Sequence, residues 1–280
     1  MERDNKIHWL TALKLGGAFM ATCIGSGFAT GSEFLSFFVA HGIGGAIGAI
    51  AISLIIYFLF TKELFNKGQD LPAEYHNNIL AYYFGKIGGE IFDWFSAILV
   101  GGCYLIMLNG AGTTLNQYLG WDPLVGAALM ALAAIITVWF GLRKLTDIIG
   151  SIGPVIAAFS VIIVGAAQVP NLALSGLLGP VAQGIFVVMI ILAIYTTACP
   201  MMWGFCRKIT TDEKSLKYRV CIIALTVLGM IATHYFRLGD LINFIYSMSG
   251  YVGAIVLVGM FVSNMIRKKK AAAAKSDAGR

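Results

Sequence analysis

The feature that most constrains this chain is a succession of long apolar stretches separated by short polar connectors. A helix needs roughly 20 apolar residues to cross about 30 Å of hydrocarbon, and lipid offers no partners for backbone N–H and C=O groups. Hydrophobic residues make up 58% of the 280 residues and charged residues 12%, so the sequence predicts an all-α integral membrane protein. We predict about eight transmembrane helices, at about 10–32, 42–61, 89–118, 123–142, 147–168, 181–206, 220–236 and 241–266.

Connectors that carry lysine or arginine alternate along the chain with connectors that carry almost none. This alternation predicts the orientation of the chain. Besides the two ends, the connectors that carry them are 62–88, 143–146 and 207–219. The connectors that contain none are 33–41, 119–122 and 169–180, and 237–240 contains only Arg237. Because cationic connectors stay cytoplasmic, we predict a multi-pass protein of the plasma (inner) membrane with both termini in the cytoplasm. We expect one membrane domain over 1–270 and a disordered cytoplasmic tail over 271–280.

The composition also excludes several classes of function. The net charge is +6, but the basic residues lie near span ends, so we assign them to orientation and the lipid bilayer, and we predict no nucleic-acid partner. The five cysteines and four histidines lack C-x-x-C and H-E-x-x-H spacing, so we predict no disulfide framework, no zinc site and no cofactor. Since no nucleophile–base set is evident, we predict that the chain is not an enzyme.

Residues 22–34 read TCIGSGFATGSEF and lie in the first apolar stretch. Glycine costs a helix interior about 1 kcal/mol relative to alanine, so Gly25, Gly27 and Gly31 favour a break in this helix. Unwound backbone survives in a membrane only inside protein or beside a water-filled cavity, where its carbonyls coordinate cations and a half-helix N-terminus attracts anionic groups. The alternative is an unbroken helix that packs closely through Gly27 and Gly31, which are four residues apart.

A second polar motif lies in the sixth stretch, which reads AIYTTACPMMWGF from residue 193. The spacing of Ala193, Thr196 and Thr197 places them on one face of a helix, and Pro200 removes the N–H that would otherwise bond the Thr196 carbonyl. Hydroxyl and carbonyl oxygens are hard ligands, which suit Na⁺ better than a transition metal. The alternative is structural, since threonines in membrane helices donate to their own i−4 carbonyls.

Together the two motifs resemble a known family. TCIGSGFATGSEFLSFF resembles the opening helix of the YkvI-type membrane proteins, a branch of the amino acid–polyamine–organocation superfamily with the LeuT fold. AIYTTACPMMWGFCRKI, followed by GDLINFIYSMSGYVG, resembles the eighth to tenth helices of that family. The resemblance implies a LeuT-like core with a discontinuous first helix, and a sodium ion between the first and eighth helices of the family's fold.

The resemblance also implies a set of site residues, and no metal other than Na⁺. The ion would be bound by the backbone carbonyls of Ala21, Ile24 and Ala193 and by the hydroxyls of Thr196 and Thr197. The solute would lie against the unwound backbone of Gly25, Ser26 and Gly27, with Phe28 nearby.

Three further polar residues each have two interpretations. Asn109 either lines the substrate site or bonds an adjacent helix. Glu33 is either a gate or cation relay, or a carboxylate at a helix end that reaches headgroup water. Tyr104 either covers the solute as part of a gate or packs in the core.

The chain departs from the LeuT fold in its number of helices. That fold has ten core helices in two inverted repeats, whereas we count eight and find no counterparts of helices six and seven, so the second inverted repeat is incomplete. Our first hypothesis is a secondary active transporter that couples symport of a small amino-acid-like solute to Na⁺ in preference to H⁺. The alternative is a non-transporting membrane subunit, or a degenerate transporter remnant, that binds a partner protein. A homo-oligomer or a partner membrane subunit would cover polar helix faces.

Overall fold

The structure, a computed structural model, describes residues 9–23, 42–72, 75, 78–167 and 179–277. These residues form eight helices and no strand. We label the helices α1 Trp9–Cys23, α2 Gly42–Asp70, α3 Ile79–Leu119, α4 Pro123–Trp139, α5 Leu142–Ala167, α6 Gly179–Ile209, α7 Leu216–Tyr235 and α8 Leu238–Asp277. The predicted all-α class is confirmed.

Five helical segments are long and apolar enough to cross a membrane, which confirms the prediction of an integral membrane protein. They are Gly42–Gly68, Ile79–Leu119, Val187–Ile209, Leu216–Tyr235 and Leu238–Arg267. Two shorter apolar segments, Pro123–Trp139 and Leu145–Ile156, fall within or close to the predicted fourth and fifth spans. The predicted break at Gly25–Gly31 lies outside the described residues, so the discontinuous first helix and the LeuT-like core stay predictions.

Helix α3 contains a sharp break near its N-terminal end. Gly85 has φ 74° and ψ 173°, a backbone conformation that glycine adopts readily because it has no Cβ. The residues before the break turn back on those that follow it. Phe84 and Phe92 have ring centroids 4.6 Å apart, and a side chain at Gly89 would overlap the backbone of Ala81. The predicted start of the third span at about residue 89 falls just after the break.

The chain divides into two compact units, and the division falls inside α3 and α8. The first unit comprises Met1–Phe34 and Val100–Ile242, and the second unit comprises Leu35–Leu99 and Asn243–Arg280. The first unit therefore contains all of α1, α4, α5, α6 and α7, whereas the second unit contains all of α2. The expectation of one membrane domain stays a prediction.

The first unit is built around α6, which contacts α1, α4, α5 and α7. Its core combines fully buried side chains from five helices. These are Leu108 on α3, Val138 on α4, Ile149 on α5, Ile194 on α6 and Ile222 on α7. Because α6 is surrounded in this way, polar groups on its buried faces must be satisfied by protein partners.

Helix α1 is held against α5 by glycine contacts. A methyl group at Gly17 would overlap the Gly150 carbonyl and the Pro154 ring, and one at Gly153 would overlap the backbone of Gly17. Small residues at such contacts let the backbones of membrane helices approach closely. The contact fixes α1 in the first unit, where it also touches α6.

The second unit combines a small core with a large apolar surface. Tyr83, Val256 and Met260 form its buried cluster, whereas 0% of the most apolar window of α2 and 11% of that of α8 are buried. Exposed apolar surface of this kind suits helices that face lipid tails. One polar contact joins its three helices, since Glu63 Oε1 accepts hydrogen bonds from Tyr83 Oη at 3.0 Å and from Asn264 Nδ2 at 2.8 Å.

The last helix extends further than we predicted. Helix α8 ends at Asp277, so residues 271–277, which we expected to be disordered, are helical in the structure. Positions 271–274 are alanines, and alanine has the highest helix propensity. A helix that already runs to residue 270 is prolonged by them because adding a residue avoids the cost of a new nucleus.

Candidate cation and solute site

The candidate site is centred on α6, where the three predicted ligands on this helix are buried. Ala193, Thr196 and Thr197 are exposed by only 1%, 0% and 3%. They lie inside the apolar segment Val187–Ile209, on one face of α6, as their spacing predicts. Three oxygen-bearing groups are thus held away from lipid in the interior of the first unit.

The oxygens of these residues converge on one point of the helix. The Thr196 hydroxyl donates to the Ala193 carbonyl at 2.9 Å, and the Thr197 hydroxyl donates to the same carbonyl at 3.2 Å. The bond from Thr197 is the i−4 back-bond that the structural interpretation predicts, whereas the bond from Thr196 reaches the carbonyl three residues earlier. Each hydroxyl oxygen has acceptor capacity in addition to its donated hydrogen, so back-bonding and coordination of a cation are chemically compatible.

Pro200 changes the backbone hydrogen bonding of this segment. Pro200 lies inside α6 and has no backbone N–H, so the Thr196 carbonyl cannot receive its ordinary i+4 hydrogen bond. Missing ladder bonds in membrane helices are compensated by side chains, waters or neighbouring helices. The backbone near Thr196 therefore needs partners from beyond the regular ladder, next to the two hydroxyls.

The other half of the predicted cation site belongs to the first apolar stretch. Ala21 is a residue of α1, and α1 contacts α6. The remaining predicted ligand and solute-binding positions of this stretch, together with the predicted gate, lie outside the described residues. They are Ile24, Gly25, Ser26, Gly27, Phe28 and Glu33. Of the predicted cation ligands, the structure brings together Ala193, Thr196 and Thr197.

Asn109 is buried, at 3% exposure, and joins α3 to the end of α7. Its Nδ2 donates to the Phe236 carbonyl at 2.9 Å, and its Oδ1 accepts a hydrogen bond from the Thr113 hydroxyl at 3.2 Å. Phe236 is the C-cap residue of α7, where helix carbonyls lack intrahelical partners. The amide thus bonds the end of an adjacent helix.

Tyr104 is fully buried and also faces α7. Its hydroxyl lies 3.3 Å from the Thr226 hydroxyl, which itself donates to the Ile222 carbonyl at 2.8 Å. Since the Thr226 hydrogen is used in that bond, Tyr104 is the donor. This geometry fits the interpretation of Tyr104 as a core residue.

One polar contact beside the site was not anticipated from the sequence. The Tyr195 and Thr137 hydroxyls lie 2.5 Å apart and connect α6 to α4. Thr137 also donates to the Ala133 carbonyl at 3.0 Å, so Tyr195 donates to Thr137. Tyr195 also lines an apolar cavity of about 450 Å³ with residues of α3, α4 and α6. The sequence feature that could have indicated this contact is the tyrosine directly before the threonine pair.

The fold and these contacts define a multi-pass α-helical membrane protein whose candidate site lies in its first unit. The chain is 27% identical over 154 residues to the uncharacterized membrane protein YkvI of Bacillus subtilis (strain 168). The match covers 55% of this chain and 44% of that protein, so the chain matches less than half the length of this relative. No family model and no solved structure matches the chain. The similarity confirms the YkvI-type resemblance, while the superfamily and the missing helices stay predictions.

Proposed function

We propose that the chain is a secondary active transporter of the plasma membrane, with both termini cytoplasmic, that couples symport of a small amino-acid-like solute to Na⁺. The observation that carries this proposal is the convergence of the Thr196 and Thr197 hydroxyls on the Ala193 carbonyl in a buried segment of α6. Carbonyl and hydroxyl oxygens are hard ligands that suit Na⁺, and discontinuous helices of transporters add unwound backbone carbonyls to such sites. The similarity to a membrane protein supports the class of protein.

The contact between α1 and α6 supports a site shared by these helices. Helix α1 leads into the glycine-rich segment, and the carbonyls of Ala21 in α1 and of Ile24 in that segment would complete an oxygen shell around the ion. The solute would lie next to this segment, against Gly25, Ser26, Gly27 and Phe28, with Asn109 as a further polar contact. We keep Glu33 and Tyr104 as gate or relay candidates.

Binding of a cation would change the hydrogen bonds of the threonine pair. The Ala193 carbonyl accepts from both hydroxyls, and an ion that takes this carbonyl must displace at least one of those donors. An ion held by the hydroxyl oxygens alone would leave both donated bonds in place. Either mode needs the hydroxyl oxygens, so removing them should abolish the ion response.

The second candidate function is a non-transporting membrane subunit or transporter remnant that binds a partner membrane protein or a second copy of the chain. It is favoured by the internal hydrogen bonds of the candidate residues: the threonine pair is back-bonded, and Asn109 bonds the carbonyl at the end of α7. Each of these contacts has a structural explanation that needs no ligand.

An uptake experiment separates the two functions. The full chain is reconstituted into vesicles, and uptake of a labelled amino-acid mixture is measured with an inward gradient of NaCl or of choline chloride. The transporter predicts uptake that depends on sodium and is lost in Thr196→Val/Thr197→Val but kept in Thr196→Ser/Thr197→Ser. Uptake that is equal in both salts would contradict coupling to sodium, and no uptake by well-folded protein would contradict symport and favour the subunit.

A further inference from the structure

Two cysteines that are distant from the candidate ligands lie together at the junction of α6 and α7. Cys206 and Cys221 are free thiols, exposed by 0% and 8%, and they share a hydrogen bond. Cys206 lies four residues before Thr210 and Cys221 six residues after Ser215, the two ends of the connector between these helices. In a helical hairpin, residues at similar distances from the connector come side by side.

The connector holds this arrangement in place. Ser215 is the N-cap of α7 and accepts a hydrogen bond from the Tyr218 amide at 3.2 Å. The Ser215 hydroxyl in turn donates to the Asp212 carbonyl at 2.7 Å, and the Lys214 amide donates to the Asp212 carboxylate at 3.0 Å. A short, capped connector between two packed helices keeps the thiols close, so their reaction with each other is effectively intramolecular.

The two thiols differ in access. Cys221 lines a groove of about 520 Å³ between the end of α6 and the start of α7, together with Phe205, Leu216 and Val220. Cys206 is not among the residues that line this groove. A small apolar reagent that enters the groove therefore reaches Cys221, whereas Cys206 is fully buried and is the less accessible of the two.

We propose that Cys206 and Cys221 are a redox modification site that reacts with low-molecular-weight disulfides and closes to a reversible Cys206–Cys221 disulfide. The Cys221 thiolate attacks one sulfur of the small disulfide, which forms a mixed disulfide and releases one thiolate. The Cys206 thiolate then attacks the Cys221 sulfur and releases the second thiolate. The two cysteine protons end on the two released thiols, and the two electrons of the protein dithiol reduce the small disulfide.

The surroundings fit a transient rather than a permanent disulfide. Arg207 and Lys208 directly follow Cys206, and such basic residues mark the cytoplasmic side of a span. The cytoplasm keeps thiols reduced, and the disulfides that form there in mesophiles are usually catalytic or redox-sensing. The modification would tie α6 to α7, and it does not depend on the proposed transport function.

The test uses 4,4′-dithiodipyridine, a small apolar disulfide that releases a coloured thione. In the full chain with Cys23→Ser, Cys103→Ser and Cys199→Ser, only Cys206 and Cys221 remain. We expect two thiones released per chain, no retained pyridyl group by intact mass, and recovery of both thiols with dithiothreitol. When Cys206→Ser is added, we expect one thione and one retained pyridyl group on Cys221.

Two results would overturn the proposal. One is two thiones with two retained pyridyl groups, because the cysteines would then react without joining. The other is an absence of thione release from folded protein. Peptide mapping of the oxidised wild-type chain is an independent test should the triple variant fold poorly. It must give a linked peptide pair that contains Cys206 and Cys221, and a different pairing or no linked pair would also overturn the site.

Discussion

The two units of the molecule differ in what they bury. Among the described residues, the buried polar side chains all belong to the first unit; they are Asn109, Thr114, Thr137, Thr196, Thr197 and Thr226. The second unit buries a small apolar cluster and leaves most of α2 exposed. Buried polar groups are costly unless they are hydrogen-bonded. The first unit therefore maintains a polar interior, whereas the helices of the second unit are suited to contact with lipid.

Within the first unit, the buried threonines also differ from one another. Thr114, Thr137 and Thr226 each donate to the carbonyl four residues earlier. The threonine pair on α6 differs from them, because both of its hydroxyls donate to one carbonyl, that of Ala193. Back-bonding alone is thus the ordinary state of buried threonines in this molecule, and the concentration of oxygens at Ala193 is what distinguishes the candidate site.

We expect the largest loss of stability at the close backbone contact between α1 and α5 in the first unit. In Gly17→Val the new side chain overlaps Gly150 and Pro154, so we expect a loss of about 3 kcal/mol from overpacking and separation of α1 from α5. Gly16→Val is the matched control, since a Cβ at Gly16 has no neighbour within 4 Å. Denaturant unfolding of the two variants in detergent measures the effect, and equal stabilities would contradict the described contact.

A smaller effect is expected at the polar contact of the second unit. Glu63→Leu removes the acceptor of the hydrogen bonds from Tyr83 and Asn264, and we expect a loss of about 2 kcal/mol. Glu63→Gln keeps an acceptor oxygen and should lose about half as much. Thermal unfolding gives both values. If the ion site belongs to the first unit, Glu63→Leu should also retain any sodium-dependent rise in Tm. Loss of that rise would contradict the assignment of the ion site to the first unit.

The smallest effect is expected at Asn109. Asn109→Leu removes the donor to the Phe236 carbonyl, and interhelical hydrogen bonds in membrane proteins contribute only about 0.6 kcal/mol on average. We therefore expect a stability loss of about 1 kcal/mol. Sodium-dependent uptake separates its two interpretations: a structural amide changes stability alone, whereas a substrate ligand would raise KM for the solute. Thr113→Val is the comparison variant, since it removes the hydrogen bond to Asn109 Oδ1 but keeps the amide that donates to the Phe236 carbonyl.

The helices were predictable from the sequence, but most of the polar partners were not. Apolar length and the distribution of basic residues fix where helices run, and the spacing of Ala193, Thr196 and Thr197 fixes their common face. The bonds of Asn109 to Phe236 and of Tyr104 to Thr226 join residues more than 100 positions apart. Local patterns carry no information on such pairings, because tertiary packing decides them.

Two further features of the structure follow from local properties of the sequence. The Cys206–Cys221 contact could have been inferred from the similar distances of both cysteines from one short connector, rather than from C-x-x-C spacing. The helical residues 271–274 could have been inferred from the propensity of alanine. In both cases the local sequence predicts the observed structure, whereas cysteine spacing motifs and the polarity of the tail do not.

The most direct test of the proposed cation site is thermal unfolding of the purified chain in NaCl and in choline chloride at equal ionic strength. A ligand at about 100 times its Kd stabilises the native state by roughly 2.7 kcal/mol. We predict a sodium-specific rise in Tm for the wild type that is lost in Thr196→Val/Thr197→Val. It should persist in Thr114→Val, which removes a buried hydroxyl that donates to the Gly110 carbonyl. A wild-type Tm that is the same in both salts, or a sodium response that survives loss of the threonine pair, would contradict the site.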